Sequence, residues 1–378
     1  MKTFKWFFLI LAGVFVACGS DSEEELIGDW QRRAPFPKGA RSHAATFVIG
    51  DQGYVCCGYN GSSATQRARR EVYAIRHTEA DGRGSWNEQL RVFPGQARQQ
   101  AVGFSLTAGG KSYGYVGTGW DGDLTDMRDF WRYDPATDTW DSIAPLPGVA
   151  RRGAIAFSLT VNGKEYGYVG TGYTEEPEKD YMLDFWQFDP EGTTPNESGA
   201  GTLHGKWTSV SGYGGGKRAG ATVFVLDNKA YICLGRNSGG TITDFWLFDP
   251  AGAKPWTAKK NMNNANPDED YDDDYGDLAR SFGIAFTTVS EGGQLRGHIA
   301  AGENKSSVWE YDHENDLWTQ RTYFYNNLSR SSRGGAVAFS FPNTRRAFVG
   351  LGNSGGSWFD DMWEFIPLKE DYTYDDSQ

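Results

Sequence analysis

A chain of 378 residues would ordinarily divide into two or three domains, because single hydrophobic cores rarely grow past about 250–300 residues. The 49 glycines and the 15% aromatic content point instead to many short strands, tight turns and large core side chains, and argue against a helix-rich fold. The formal charge of −12 lacks the basic surface that nucleic-acid binding requires, so no nucleic acid is expected as a partner.

The first segment is not part of a fold. Met1-Lys-Thr-Phe-Lys5 is basic, and the apolar run Trp6 to Ala17 is shorter than the roughly 20 residues that span a bilayer. Residues 1–17 therefore read as a signal peptide. The ending Val16-Ala17-Cys18, with Phe15 where leucine is usual, resembles the lipobox of bacterial lipoproteins. That resemblance implies a lipidated Cys18 as the mature N-terminus, and the acidic leash up to Glu25 resembles the surface-export signals of Bacteroidetes lipoproteins. Residues 18–28 are read as the lipidated cysteine and an acidic linker. The protein is thus expected to be exported and anchored to the outer membrane through Cys18 alone, on its periplasmic or outer side, as a monomer.

Residues 29–367 carry an internal repeat. Six segments align without gaps: Arg41-Ser-His-Ala-Ala-Thr-Phe47, Arg98-Gln-Gln-Ala-Val-Gly-Phe104, Arg151-Arg-Gly-Ala-Ile-Ala-Phe157, Arg218-Ala-Gly-Ala-Thr-Val-Phe224, Arg280-Ser-Phe-Gly-Ile-Ala-Phe286 and Arg333-Gly-Gly-Ala-Val-Ala-Phe339. Each has a small residue three places after the arginine and a phenylalanine six places after it. A second strand ends in glycine, as in Tyr54-Val-Cys-Cys-Gly58 and Tyr115-Val-Gly-Thr-Gly119. A third follows, clearest in Asp129-Phe-Trp-Arg-Tyr-Asp-Pro135, Asp184-Phe-Trp-Gln-Phe-Asp-Pro190 and Asp244-Phe-Trp-Leu-Phe-Asp-Pro250, and weakest in Val72-Tyr-Ala-Ile75. A fourth carries Trp86, Trp140, Trp207, Trp256 or Trp318. Alternating apolar residues bounded by Gly and Asp-Pro turns indicate antiparallel strands. The sixth unit stops at Pro367, and its missing strand is supplied by Asp29-Trp30-Gln-Arg-Arg33.

The glycine-ended second strand, the Asp-Pro hairpin and the spaced tryptophan resemble the kelch family over residues 29–367. The resemblance implies an all-β, six-bladed kelch-type β-propeller of four-stranded antiparallel blades, closed by the Trp30 strand completing the last blade. Ala44, Ala101, Ala154, Ala221, Gly283 and Ala336 then belong near the axis, and the phenylalanines and tryptophans form the core between blades. The Asp-Pro pairs are expected at hairpins, with the aspartate capping the turn. Cys56, Cys57 and Cys233 fall in the second strands; neighbours on a strand point to opposite faces, so buried free thiols are expected.

The loops after strands two and four share one face of such a fold. There lie Arg41, Arg98, Arg151, Arg218, Arg280 and Arg333, and just past each strand-two glycine come Tyr59, Trp120, Tyr173, Arg236, Glu303 and Asn353, with Asn60, Asp121, Asn237 and Asn304 beside them. Arginines fork carboxylates and rings stack on sugars, so this funnel suits a glycan or an acidic peptide or protein. Kelch domains that bind acidic peptides place arginines at this repeat position, which the resemblance carries over to these six. The other reading is structural: each arginine bridges to a neighbouring blade's carboxylate or backbone.

Two enzyme families resemble the chain. Galactose oxidase has kelch-like blades, but its copper site needs histidines and tyrosines together, and the five histidines here (His43, His77, His204, His298, His313) are scattered. Six-bladed sialic acid mutarotases take a carboxylated sugar and need an acid–base pair, for which Glu303 and Asp121 are the first carboxylates to test. No catalytic spacing is recognised, so non-catalytic binding is favoured; no cofactor and no metal are expected. The run Pro267 to Asp277 misses the glycine position and closing glutamate of an EF-hand and reads as a solvated acidic flap. Residues 368–378 read as an acidic disordered tail.

Overall fold

The computed structural model describes residues 26–61, 68–76, 84–87, 89–199, 201–326, 329–330, 332–341 and 346–368. It is a six-bladed β-propeller, and every blade is a four-stranded antiparallel sheet. From the axis outward, blade 1 comprises Ala45–Ile49, Gln52–Cys56, Val72–Arg76 and Ser85–Trp86. Blade 2 comprises Val102–Ala108, Lys111–Gly117, Phe130–Asp134 and Thr139–Ile143, and blade 3 Ile155–Val161, Lys164–Gly170, Phe185–Pro195 and Thr202–Val210. Blade 4 is built from Thr222–Leu226, Lys229–Cys233, Phe245–Phe248 and Trp256–Ala258, and blade 5 from Ile284–Val289, Leu295–Ala300, Val308–Asp312 and Leu317–Arg321. Blade 6 joins Val337–Phe341, Arg346–Gly350 and Met362–Ile366 to the N-terminal strand Asp29–Arg33. In that closure Trp30 lies opposite Phe365, as the repeat count requires.

Blades pack by fitting a ring into the space a missing side chain leaves. Phe47 of blade 1 lies where a Cβ on Gly114 of blade 2 would sit, at 2.2 Å, and Phe104 meets Gly167 of blade 3 at 2.3 Å in the same way. Phe224 faces Gly297, and Phe339 returns to Gly53 of blade 1. The phenylalanine six places after each arginine is therefore the wedge between blades, and each is at most 5% exposed. Burying such rings supplies the main stabilisation of the fold.

Two closed belts of backbone hydrogen bonds tie the blades together. In the first, the strand-two glycine of each blade donates to the arginine carbonyl of the next: Gly58 to Arg98, Gly119 to Arg151, Gly172 to Arg218, Gly235 to Arg280, Gly302 to Arg333 and Gly352 to Arg41, all within 3.0 Å. In the second, the residue two places after each arginine donates to its counterpart in the preceding blade, from Gln100 to His43 at 2.9 Å round to His43 to Gly335 at 2.7 Å. That position is left-handed in all six blades, with φ between 50 and 61°. Glycine meets this conformation without strain in Gly153, Gly220 and Gly335; His43, Gln100 and Phe282 adopt it at a cost the belt must offset.

Three expectations need correction. Cys57 does not continue the second strand: its φ of +67° breaks the alternation, and its sulfur lies 3.2 Å from that of Cys56 rather than on the opposite face. Both thiols and Cys233 are free and buried. Asp189-Pro190 is not at a hairpin apex, because strands Phe185–Pro195 and Thr202–Val210 extend the hairpin beyond it through a register shift after Asp189. Asp189 still accepts the Glu191 N–H at 2.9 Å, as Asp134 does for Ala136. Finally, the acidic segment is folded: Asp270–Asp277 is a 3₁₀ helix. Its Asp272 is buried and accepts the N–H groups of Ala265 and Asn266, and its buried Tyr275 hydroxyl accepts the Trp318 N–H at 2.6 Å. Tyrosine burial holds the segment down, which its charge alone does not reveal.

The expected signal peptide, Cys18 and the acidic tail beyond Leu368 lie outside the described residues. Among the described residues no helix is long and apolar enough to cross a membrane.

Candidate ligand-binding face

The six arginines sit beneath this face, not on it. Each is between 0 and 2% exposed. The cause is local: the residue before every strand-two glycine is also left-handed, with φ from 54 to 67°, which turns its carbonyl toward the arginine. Arg41 Nη1 donates to Cys57 O at 2.8 Å, Arg98 to Thr118 O at 2.9 Å and Arg151 to Thr171 O at 3.0 Å. Arg218, Arg280 and Arg333 reach Leu234 O, Ala301 O and Leu351 O, each at 3.0 Å.

The aspartate that opens the third strand completes the clamp. Arg98 forks Asp129 at 2.7 and 2.8 Å, Arg151 forks Asp184 at 2.6 and 2.8 Å, and Arg333 forks Asp361 at 2.5 and 3.1 Å. Arg218 pairs with Asp244. The indole N–H groups of Trp131, Trp186 and Trp363 bind the same carboxylates. Burial pushes the Asp129 and Asp184 carboxyls up, but the arginine bonds outweigh it and hold both below the usual range. Blade 5 has no such aspartate; Arg280 binds Ser307 instead, and burial lowers its pKa to about 10. Blade 1 has only Glu71, at 3.7 Å. Of the two readings of the arginine ring, the geometry supports bridging, with the correction that each carboxylate belongs to the arginine's own blade. At 0 to 2% exposure, none of the six guanidiniums is open to a ligand on the face.

What the face presents is the ring of residues above the arginines. Backbone bridges pair the residue after each arginine with the residue after each strand-two glycine: Ser42 with Tyr59, Gln99 with Trp120, Arg152 with Tyr173, Ala219 with Arg236 and Gly334 with Asn353. In blade 5 the Glu303 N–H donates to Ser281 O at 3.0 Å. The expected residues Tyr59, Trp120, Tyr173, Arg236, Glu303 and Asn353 are thus brought to one rim, none of them buried. Asn237 caps its hairpin through the Gly239 N–H, and Asn304 is exposed in the neighbouring turn.

The rim has two charged features. Arg152, 7% exposed, has its guanidinium 4.3 Å from the Trp120 ring and 5.2 Å from the Tyr173 ring, and pairs with Glu175 at 2.8 Å. Buried Asp126 lies 3.6 Å from Arg152; burial raises its pKa against the Glu175 N–H and the arginine charge. Across the ring, Glu303 accepts from Ser281 Oγ at 2.6 Å and from Arg236 at 3.0 Å. Asp121 is occupied by its own loop, accepting the N–H groups of Asp123 at 2.8 Å and Thr125 at 3.1 Å. Burial pushes its pKa up, but those N–H bonds outweigh it and keep the carboxyl below the usual range.

The axial floor below the rim is the second belt. A cavity of about 120 Å³ there is lined by His43, Gln100 and Phe282, the belt glycines and the small residues Ala44, Ala101, Ala154, Ala221, Gly283 and Ala336. The expectation of small residues at the axis holds. His43 packs edge-on against Phe282 at 5.2 Å and over Gly335. Burial, and then the charge of Arg236, lowers its pKa to about 4, so it is a neutral plug.

Sequence reading missed Arg152, Asp126 and the belt residues His43, Gln100 and Phe282 of the floor. A signal existed for Arg152: its counterparts Ser42, Gln99, Ala219, Ser281 and Gly334 are all uncharged. The clamp aspartates were equally visible as the repeated Asp before Phe-Trp. Among the described residues, no group of three or more His, Cys, Asp and Glu side chains is placed to hold a metal ion.

A kelch motif model matches residues 119–147, which run from the strand-two glycine of blade 2 to the end of that blade. No curated protein matches the chain. Among solved structures the chain is similar to that of YjhT, with 16% identity and a TM-score of 0.61, over 87% of this chain and 95% of that one. At that identity the likeness bears on fold alone. Strand order and ring closure agree: the chain is a six-bladed β-propeller, and its second blade carries a kelch motif.

Proposed function

We propose that this propeller is a non-catalytic, glycan-binding protein of the bacterial envelope, exported by residues 1–17 and tethered through lipidated Cys18. The observation that carries the binding reading is the stack of Trp120, Arg152 and Tyr173, in which two part-exposed rings are pinned by a shared guanidinium. Rings held in place in this way can stack on the apolar faces of sugars. Acidic peptides are supported less, because the arginines expected to receive them are enclosed and both rim arginines already face carboxylates. The test is a glycan array followed by titration of the strongest hit. Trp120→Ala or Tyr173→Ala should weaken binding at least about tenfold, or about 1.4 kcal/mol. Binding that ignores both changes would overturn this site.

The resemblance to sialic acid mutarotases is kept as a second reading by one feature, the rim carboxylate Glu303, a candidate general base held beside Arg236. An NMR anomer-exchange assay decides it: acceleration that Glu303→Gln removes would displace the non-catalytic reading. Glycan binding without acceleration supports it.

A further inference from the structure

We propose that Cys56 and Cys57 are a redox-closable pair that joins as a vicinal disulfide within blade 1. Their sulfurs are 3.2 Å apart, and a disulfide needs about 2.05 Å, so closure requires an approach of roughly 1.2 Å. Regular strand geometry would forbid it. The left-handed φ of Cys57 removes that obstacle, and this conformation is imposed by the repeat, since Thr118, Thr171, Leu234, Ala301 and Leu351 share it. Only blade 1 places two thiols at this position.

The surroundings in blade 1 also differ from the other blades. The peptide inside the closed ring is the one between Cys56 and Cys57, and the carbonyl that follows it, that of Cys57, is held by Arg41. Arg41 has no forked aspartate, and its Nε and Glu71 Oε2 lack hydrogen-bond partners. The peptide at the end of this strand is therefore pinned less firmly than its counterparts in blades 2, 3 and 6. Closing the ring draws on the clamp that also carries the bond from Gly352 to Arg41, the joint between the last blade and the first.

The chemistry is thiol–disulfide exchange with a low-molecular-weight disulfide. One cysteine thiolate attacks it and expels a thiolate; the second attacks the mixed disulfide and expels the other. Two protons and two electrons leave the pair, and the oxidant's S–S bond is reduced to two thiols. Both cysteines are wholly buried, and burial raises the Cys56 thiol pKa, so exchange takes place as blade 1 assembles or transiently opens.

The full chain is equilibrated with oxidised and reduced glutathione, both folded and during refolding from denaturant, then alkylated under denaturing conditions and digested with trypsin. The peptide of residues 42–67 should be free of alkyl groups and two hydrogens lighter, and doubly alkylated after dithiothreitol, with Cys233 alkylated in both. The double variant Cys56→Ala, Cys57→Ala copies Ala300 and Ala301 of blade 5, so it should fold, and its melting temperature should ignore dithiothreitol where that of the wild type responds. A doubly alkylated peptide in both regimes, or glutathione adducts in place of closure, would overturn the proposal.

Discussion

The amide of Gly352 donates to the carbonyl oxygen of Arg41 at 2.7 Å, repeating between blades 6 and 1 the bond that joins every other neighbouring pair. Arg41 and Gly352 are far apart in sequence, so the bond forms only when the ring is closed. The same arginines secure their own blades through side chains and their neighbours through carbonyls. They act as fasteners of the propeller.

Removing a fastener should therefore cost stability. Arg333→Ala strands the carboxylate of Asp361, 7% exposed on its side chain, and should destabilise by about 3–5 kcal/mol in urea unfolding. Arg333→Lys should recover only part of this, because lysine cannot fork the carboxylate and reach Leu351 O together. Arg41→Ala should cost less, since Glu71 stands 3.7 Å away. Equal midpoints for Arg333→Ala and wild type would remove the clamp as a stabilising element.

Acid should loosen the axial floor. His43 is neutral when folded, its pKa brought from 6.5 to about 4 by burial and then by Arg236. Between those values the unfolded chain binds a proton that the folded protein does not. Its contribution is complete above pH 6.5 and is lost as pH falls toward 4. His43→Gln copies Gln100 of blade 2, which holds the same left-handed conformation, and should flatten the stability–pH curve in that window. An unchanged curve would assign the acid response elsewhere.

The belt glycines separate backbone strain from steric clash. Gly153 and Gly335 both have φ of +60°, so alanine is strained equally at each. A Cβ on Gly335 would lie 2.5 Å from the His43 ring, whereas on Gly153 it meets nothing nearer than 3.4 Å. Both alanine variants should be destabilised by about 1 kcal/mol or more, and Gly335→Ala clearly more than Gly153→Ala. Thermal unfolding of the pair checks the ordering; the reverse order would contradict the His43 placement.

Ring closure can be opened at one residue. Trp30 is 5% exposed and packs on Phe324 and Phe365 at 4.6 and 4.9 Å between ring centres. Trp30→Ala should cost about 3–5 kcal/mol, by calorimetry, as for other buried tryptophans. A loss below 1 kcal/mol would mean that the N-terminal strand is dispensable to blade 6.

The six arginine segments, the glycine-ended strands and the early Trp30 were enough to read the blade count, the strand order and the closure. Each is a short-range burial pattern repeated six times, and a pattern of alternation dictates a strand wherever the chain goes. The wedge phenylalanines and the small residues at the axis were legible for the same reason. The fate of the arginines was not. Whether a guanidinium faces ligand or core depends on a carbonyl 16 residues away in blade 1 and a carboxylate 33 residues away in blade 3, brought together only by the left-handed turn ending the second strand. Likewise the contact of Cys56 with Cys57, the burial of Tyr275 under an acidic segment and the stacking of Arg152 between Trp120 and Tyr173 depend on backbone hand and neighbouring blades. Those are properties of the assembled ring, and the tertiary structure alone decides them.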